Sequence, residues 1–261
     1  MRRGKVAVLI LLGLLVMTMG AANTAFATTY YVSTSGNDNN NGSLGSPFRT
    51  IQKGVDTANA GDTIEVAAGT YREKVVFNTE DGGTPAAPVT LHGASGAIID
   101  ASNPASDNLT WTLQAGYNGG VYKAPLGYKT NCVFVNGKAI HQVDWDTASE
   151  KPLGIENLNM WWWQRLFTHG MKNVSGWPDF DLWGAIPQGW DAIRGLAMWC
   201  GTDNSVWVKV MPDGEGSQPL DISQQTVRIS DFRARGVTFD GAKDVILDGF
   251  QIKYADYGIY V

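Results

Sequence analysis

Three consecutive indoles, Trp161-Trp162-Trp163, are the residues whose type points most directly to binding chemistry. No regular element turns three successive side chains to one side, because neighbours alternate on a strand and diverge around a helix. At least one of the three is therefore exposed. An exposed indole stacks on the apolar face of a sugar ring, so this run is a candidate carbohydrate-binding platform. Packing against the flank of the fold is the competing role for any single Trp. All ten Trp lie between Trp111 and Trp207. Each buries about 150–250 Å², which at about 25 cal/mol per Å² is roughly 4–6 kcal/mol as an upper bound. Several of them must build a core of their own.

Metal and thiol chemistry has weaker signals. His92, His141 and His169 show no ligand spacing with each other or with the two cysteines, so no metal site is expected. The stretch "SGNDNNNGSLGSP" has the Asp, Asn and Gly of a cation loop but lacks the closing acid of an EF-hand, and reads as a turn. Cys132 and Cys200 are free to bridge if the protein is exported, and a pair of buried thiols fits the sequence equally well. Asn41, Asn108 and Asn173 each open an N-x-S/T triplet, from which nothing is drawn.

The elements that must position these residues begin after a leader. Arg2, Arg3 and Lys5 precede an apolar run from Val6 to Met19, and small residues lead to Ala25-Phe26-Ala27. That order is a secretory signal peptide, residues 1–27, cleaved after Ala27. The run is too short for a membrane span, which needs about 20 apolar residues, and no other segment approaches that length. From Thr28 onward 17 Lys and Arg face 25 Asp and Glu, a net charge of −8. An acidic exported chain is a poor nucleic-acid binder.

Short strands dominate the chain beyond the leader. Tyr30-Tyr31-Val32, "DTIEV", "REKVVF", "APVTLHG" and "AIIDAS" alternate or run apolar and are separated by turn residues. One helix is expected over Thr50–Asn59, with Ser46 as N-cap and Pro47 in the first turn. Its apolar face would be Ile51, Val55 and Ala58, and Gly61 would stop it. Strands of this length with Asp-Gly corners suit a solenoid better than a sandwich of hairpins, because each coil buries its apolar face only against its neighbours. Residues 103–224 break the pattern as a Trp-rich insert with one short helix expected near Trp161. From residue 225 the pattern returns in "TVRIS", "GVTFDG" and "DVILDGFQI".

The stretch "YYVSTSGNDNNNGSLGSPFRTIQKGVDTANAGDTIEVAAGTYREKVVF" resembles the N-terminal module of secreted right-handed parallel β-helix proteins, the pectin-lyase-like superfamily. In that module the helix "TIQKGVDTANAGD" covers the open end of the coil, and "GDTIEVAAGTYRE" is similar to the first full rung. The likeness continues through "APVTLHGASGAIIDAS" and resumes at "RGVTFDGAKDVILDGFQIKYADYGIYV". It implies an all-β fold: a cap and first coils over 28–102, the insert over 103–224, and the start of the main helix over 225–261. The series of coils is expected to break off early, in a chain truncated relative to the superfamily.

The resemblance also implies an activity. The superfamily includes polysaccharide lyases, in which Asp residues hold a calcium ion and a Lys or Arg takes the proton next to a uronate carboxylate. The cation stabilises the developing enolate. It also includes glycoside hydrolases with paired carboxylates. A lyase acting on an acidic glycan is the first reading; a hydrolase and a non-catalytic glycan-binding protein remain open. Among solenoid residues only Asp240, Asp244, Asp248, Asp256 and Lys253 have suitable types. Asp240-Gly241 and Asp248-Gly249 read more simply as corners. The catalytic groups are expected beyond Val261, and the 261-residue chain alone is expected to be inactive.

Overall fold

The computed structural model describes residues 27–114, 120–142, 145–146, 151–152, 192–200, 204–210 and 220–261. The leader, the run Trp161-Trp162-Trp163 and the helix expected beside it lie outside the described residues. The strands before the insert are β1 (Thr29–Val32), β2 (Thr63–Val66), β3 (Gly69–Tyr71), β4 (Val75–Asn78), β5 (Val89–Gly93) and β6 (Ala97–Asp100). Next come β7 (Thr112–Leu113), β8 (Val121–Pro125), β9 (Cys132–Val135), β10 (Lys138–Gln142), β11 (Trp145–Asp146), β12 (Lys151–Pro152), β13 (Ala192–Cys200), β14 (Ser205–Val210) and β15 (Val227–Ser230). Last are β16 (Arg235–Asp240), β17 (Val245–Asp248), β18 (Gln251–Lys253) and β19 (Tyr257–Tyr260).

Three parallel sheets, β1-β2-β5-β17, β3-β6-β18 and β4-β16-β19, form the walls of a parallel β-helix. Each coil gives one strand to each wall, so the apolar residue of one strand lies on its counterpart one coil later. Ile64, Leu91 and Leu247 stack in this way, as do Val75, Val237 and Ile259. The second coil is interrupted. The chain leaves after β6, builds a seven-stranded sheet of order β15-β9-β10-β13-β14-β8-β7, and re-enters at β16, which pairs with β4. That sheet is antiparallel except for β10 with β13, and it has its own core around Val133, Val135, Val206, Val208 and Ile229.

Helix α1 (Ile51–Val55) is shorter than its sequence suggests and starts later. The N-cap is Thr50, whose side chain accepts from the Lys53 amide at 3.2 Å, not Ser46. Phe48 cannot enter the helix because it is held extended along β1, and the Pro47 carbonyl before it accepts from the Asn37 amide and the Asn40 side chain. The Phe48 amide donates to the Tyr31 carbonyl, and the Ser33 amide donates to the Phe48 carbonyl. The loop expected to be a plain turn knits the cap together. Asp38 accepts from the Arg49 and Thr50 amides at 2.8 and 2.9 Å and from the Thr50 hydroxyl at 3.0 Å. Glu73 accepts from the Ile51 and Gln52 amides, which have no partner within the helix. Gln52 then lies along the edge strand β4: its amide oxygen accepts from the Val76 N–H and its amide nitrogen donates to the Val76 carbonyl. The side chain thereby covers an edge that would otherwise invite pairing with another strand.

The corners behave as Gly corners. Gly241 and Gly249 take positive φ, +82° and +77°, while Asp240 and Asp248 remain the last residues of their strands. Asp244 is the aspartate that does adopt the left-handed region, at φ 54°. A Cβ on Gly249 would lie 2.0 Å from the Gly93 carbonyl oxygen, the corner of the coil below. Gly249→Ala is therefore expected to cost about 1–3 kcal/mol, read as a lowered thermal unfolding midpoint, because neither backbone can yield without moving its coil.

The Cys132–Cys200 bridge is not formed: Cys132 is a buried free thiol. The sheet order explains this. Strand β10 lies between β9 and β13, so the two cysteines are on strands about 10 Å apart, beyond the Cα separation a disulfide spans. Burial, with the nearby Asp256 carboxylate, pushes the Cys132 thiol up to about 12.

Candidate functional site

The alternation that packs Ile64, Leu91 and Leu247 inside the first wall puts their neighbours outside. Tyr31, Glu65, His92 and Asp248 occupy one register position on β1, β2, β5 and β17, forming a row across four successive strands. Glu65 and His92 are half-buried and Asp248 is exposed. Parallel strands lie about 4.8 Å apart, so Glu65 and Asp248 sit roughly 10 Å apart on either side of the imidazole.

The His92 Nδ1 is in a short contact with an Asp248 carboxylate oxygen. That hydrogen bond raises the His92 pKa above its ordinary value. Desolvation opposes the shift, and the charges of Asp248 and Glu65 add to it. A raised folded-state value means the contact contributes fully below the unfolded histidine pKa, about 6.5, and fades as pH rises through the folded value. The expected result is an NMR titration of His92 with its midpoint above that of a free histidine. In Asp248→Asn the midpoint should fall back towards it. An unshifted midpoint in the unaltered protein would contradict the contact.

The row pairs a proton donor with carboxylates on rigid strands, and it can donate to and accept from the hydroxyls of a sugar. The other residues named from sequence are not drawn into it. Asp256 accepts from the Asn131 side-chain amide at 2.9 Å, and Asp240, Asp244 and Lys253 are exposed at separate corners and edges. Among the described residues no group of three or more His, Cys, Asp or Glu is arranged to hold a metal ion. Sequence reading missed Glu65 and His92 and, while counting Asp248 among residues of suitable type, read it more simply as a corner. The signal was the alignment of the three strands, "TIEV", "TLHG" and "ILDG", in which the three residues share the third position.

A second polar cluster holds the antiparallel sheet to the β-helix. Arg72, after β3, pairs with Asp107 and donates its Nε to the Ser102 hydroxyl at 3.0 Å. Arg228 on β15 reaches the same Asp107 at 2.6 Å. The Arg72 guanidinium holds the Asp107 carboxyl below its usual range. Lys74 pairs with Asp231, which also accepts from the Asn103 amide.

Comparison with known proteins agrees with this architecture. Residues 34–97, the cap and first coils, match a family described as a protein of unknown function, DUF1565. Pectate lyase PEL9 of Emericella nidulans is 38% identical over 76 residues, which is 28% of this chain and 18% of that enzyme. A solved complex of XylC with xylose superimposes with a TM-score of 0.52 at 19% identity, covering 88% of this chain and 36% of XylC. Together with the three parallel walls and the cap helix, these likenesses support a parallel β-helix protein of pectin-lyase-like type. The chain spans less than a fifth of the length of the pectate lyase it matches. Among the described residues no helix is long and apolar enough to cross a membrane.

Proposed function

We propose that this chain serves a polysaccharide-degrading enzyme, and that the enzyme is a lyase acting on an acidic glycan. The observation that carries the reading is the 38% identity to a pectate lyase over 76 residues. A polyuronate lyase must hold the uronate carboxylates, polarise them and remove the neighbouring proton. A β-helix suits this work because its walls present stacked outward side chains on a rigid frame. The test uses the protein isolated from its native source, incubated with pectate, alginate and xylan, with and without added calcium. The expected product from a uronate polymer is an unsaturated end, seen by its ultraviolet absorbance. New reducing ends without that absorbance would replace the lyase with a hydrolase. Retention on the glycan with neither product would replace both with a binding protein.

Export belongs to the same proposal. It is supported by the charged start, the apolar run and the Ala25-Phe26-Ala27 site. The Thr28 amide donates to a carboxylate oxygen of buried Asp62 at 2.7 Å. Cleavage after Ala27 would convert that amide into an ammonium held against the carboxylate. N-terminal sequencing of protein from the medium is expected to begin at Thr28, and recovery of the intact Met1 form would overturn this.

A further inference from the structure

We propose that the turn between the antiparallel sheet and the β-helix carries a binding site for uronate-containing glycan, built from Lys129, Arg233 and Arg235 with the rings of Phe232, Tyr257 and Tyr260. The proposal rests on the acidic-glycan reading above and assigns a place on this chain to the substrate's charge.

The protein is acidic overall, with a net charge of −5, yet three cations gather here. Their treatment differs from that of the cations at the nearby junction. Arg72, Arg228 and Lys74 are engaged by Asp107 and Asp231. Among the described residues, Lys129, Arg233 and Arg235 form no salt bridge and lie over aromatic rings instead. The Lys129 ammonium is 3.9 Å from the centroid of Phe232, and the Arg233 guanidinium is 5.1 Å from the same ring. The Arg235 guanidinium lies 3.4 Å from the centroid of Tyr260. A stacked guanidinium uses its face and keeps its in-plane N–H groups, which are the groups that grip a carboxylate in a two-pronged pair. Tyr257 and Tyr260 meet edge to face at 6.1 Å beside the cations. Alternating carboxylates and sugar-ring faces are the chemistry of a polyuronate.

The frame is held in place before any ligand arrives. The Phe232 amide donates to the Lys129 carbonyl, and the Arg233 amide to the Asn131 side chain. The Asp256 and Tyr257 amides both donate to the Ala234 carbonyl, which ties the start of β19 to the turn before β16. Arg233 is held in the left-handed region at φ 55°. The acids beside the site are occupied. Asp231 accepts from Lys74 and Asn103, and Asp256 accepts from the Asn131 amide. A frame that needs no reordering loses little entropy on binding.

The test is calorimetric titration of the full chain with an oligogalacturonate, a neutral xylo-oligosaccharide of equal length and an inorganic polyphosphate. The oligogalacturonate is expected to bind, and to bind more weakly as salt rises. The double variant Arg233→Asn, Arg235→Gln should weaken it about tenfold or more; Asn tolerates the left-handed backbone at 233. Tyr257→Ala should weaken it without changing the salt dependence. Circular dichroism and the unfolding midpoint verify that each variant is folded. The proposal is overturned if the unaltered chain does not bind, if the folded double variant binds as tightly as the unaltered chain, or if polyphosphate or the neutral sugar binds as well as the uronate. Binding without any unsaturated product from the native enzyme would remove the lyase reading and leave this site. Unsaturated product with binding indifferent to all three substitutions would do the reverse.

Discussion

Val55→Asp is expected to remove a large part of the stability of the β-helix. Val55 is fully buried on the inner side of α1, in one cluster with Val32, Ile64 and Val75 of the first coil. A carboxylate placed there has no cation within the cluster. An unpaired buried charge costs about 3–5 kcal/mol, against a total of about 5–15 kcal/mol for a domain. The measurement is a denaturant midpoint at neutral pH, expected to fall sharply. The loss should ease as pH is lowered, because burial raises the folded-state pKa of the introduced acid, and the neutral form is the one the core tolerates. An unchanged midpoint would mean that α1 does not seal the end of the coil.

Phe77→Ala is expected to cost a similar amount, about 3–5 kcal/mol, for a different reason. Phe77 is fully buried on β4 and stacks on Phe239 of β16, with ring centroids 5.1 Å apart and planes 18° apart. The two are register partners although the whole antiparallel sheet is inserted between them in sequence. Removing the ring leaves a cavity between the first and second coils. Hydrogen exchange should speed up in β16 and β4 far more than in β8 and β14, which pack around a separate core. Uniform acceleration across both sheets would instead show that the two cores unfold as one unit.

These experiments probe parts of the fold that differ in how far the sequence reveals them. The strands of the first coils were legible because their information is local. "DTIEV" alternates, the wall strands are short, and glycines such as Gly69 and Gly96 punctuate them. The cap helix was legible as an apolar face at Ile51 and Val55. Its start differs from the sequence expectation because Phe48 bonds to β1, a partner some 16 residues upstream by register with Val32, and a propensity at Ser46 contains nothing about that partner.

What could not be read was mostly register. Glu65, His92 and Asp248 meet because the third coil lays β17 on β5, across an excursion of more than a hundred residues. No spacing along the chain encodes that distance, since the length of the excursion is free to vary while the coil height is not. The cysteine pairing had the same character: Cys132 lies on β9 and Cys200 on β13, and strand β10 is interposed between them. So too did the basic turn, where nothing along the chain sets Arg233 and Arg235 apart until the fold brings Lys129 and Tyr260 beside them. By itself the sequence determined the period of the strands, the identity of the buried face and the glycines at the corners, because each depends on residues a few positions apart. Only the tertiary structure decided which outward side chains become neighbours, because stacking coils converts equal positions in distant strands into contacts about 4.8 Å apart.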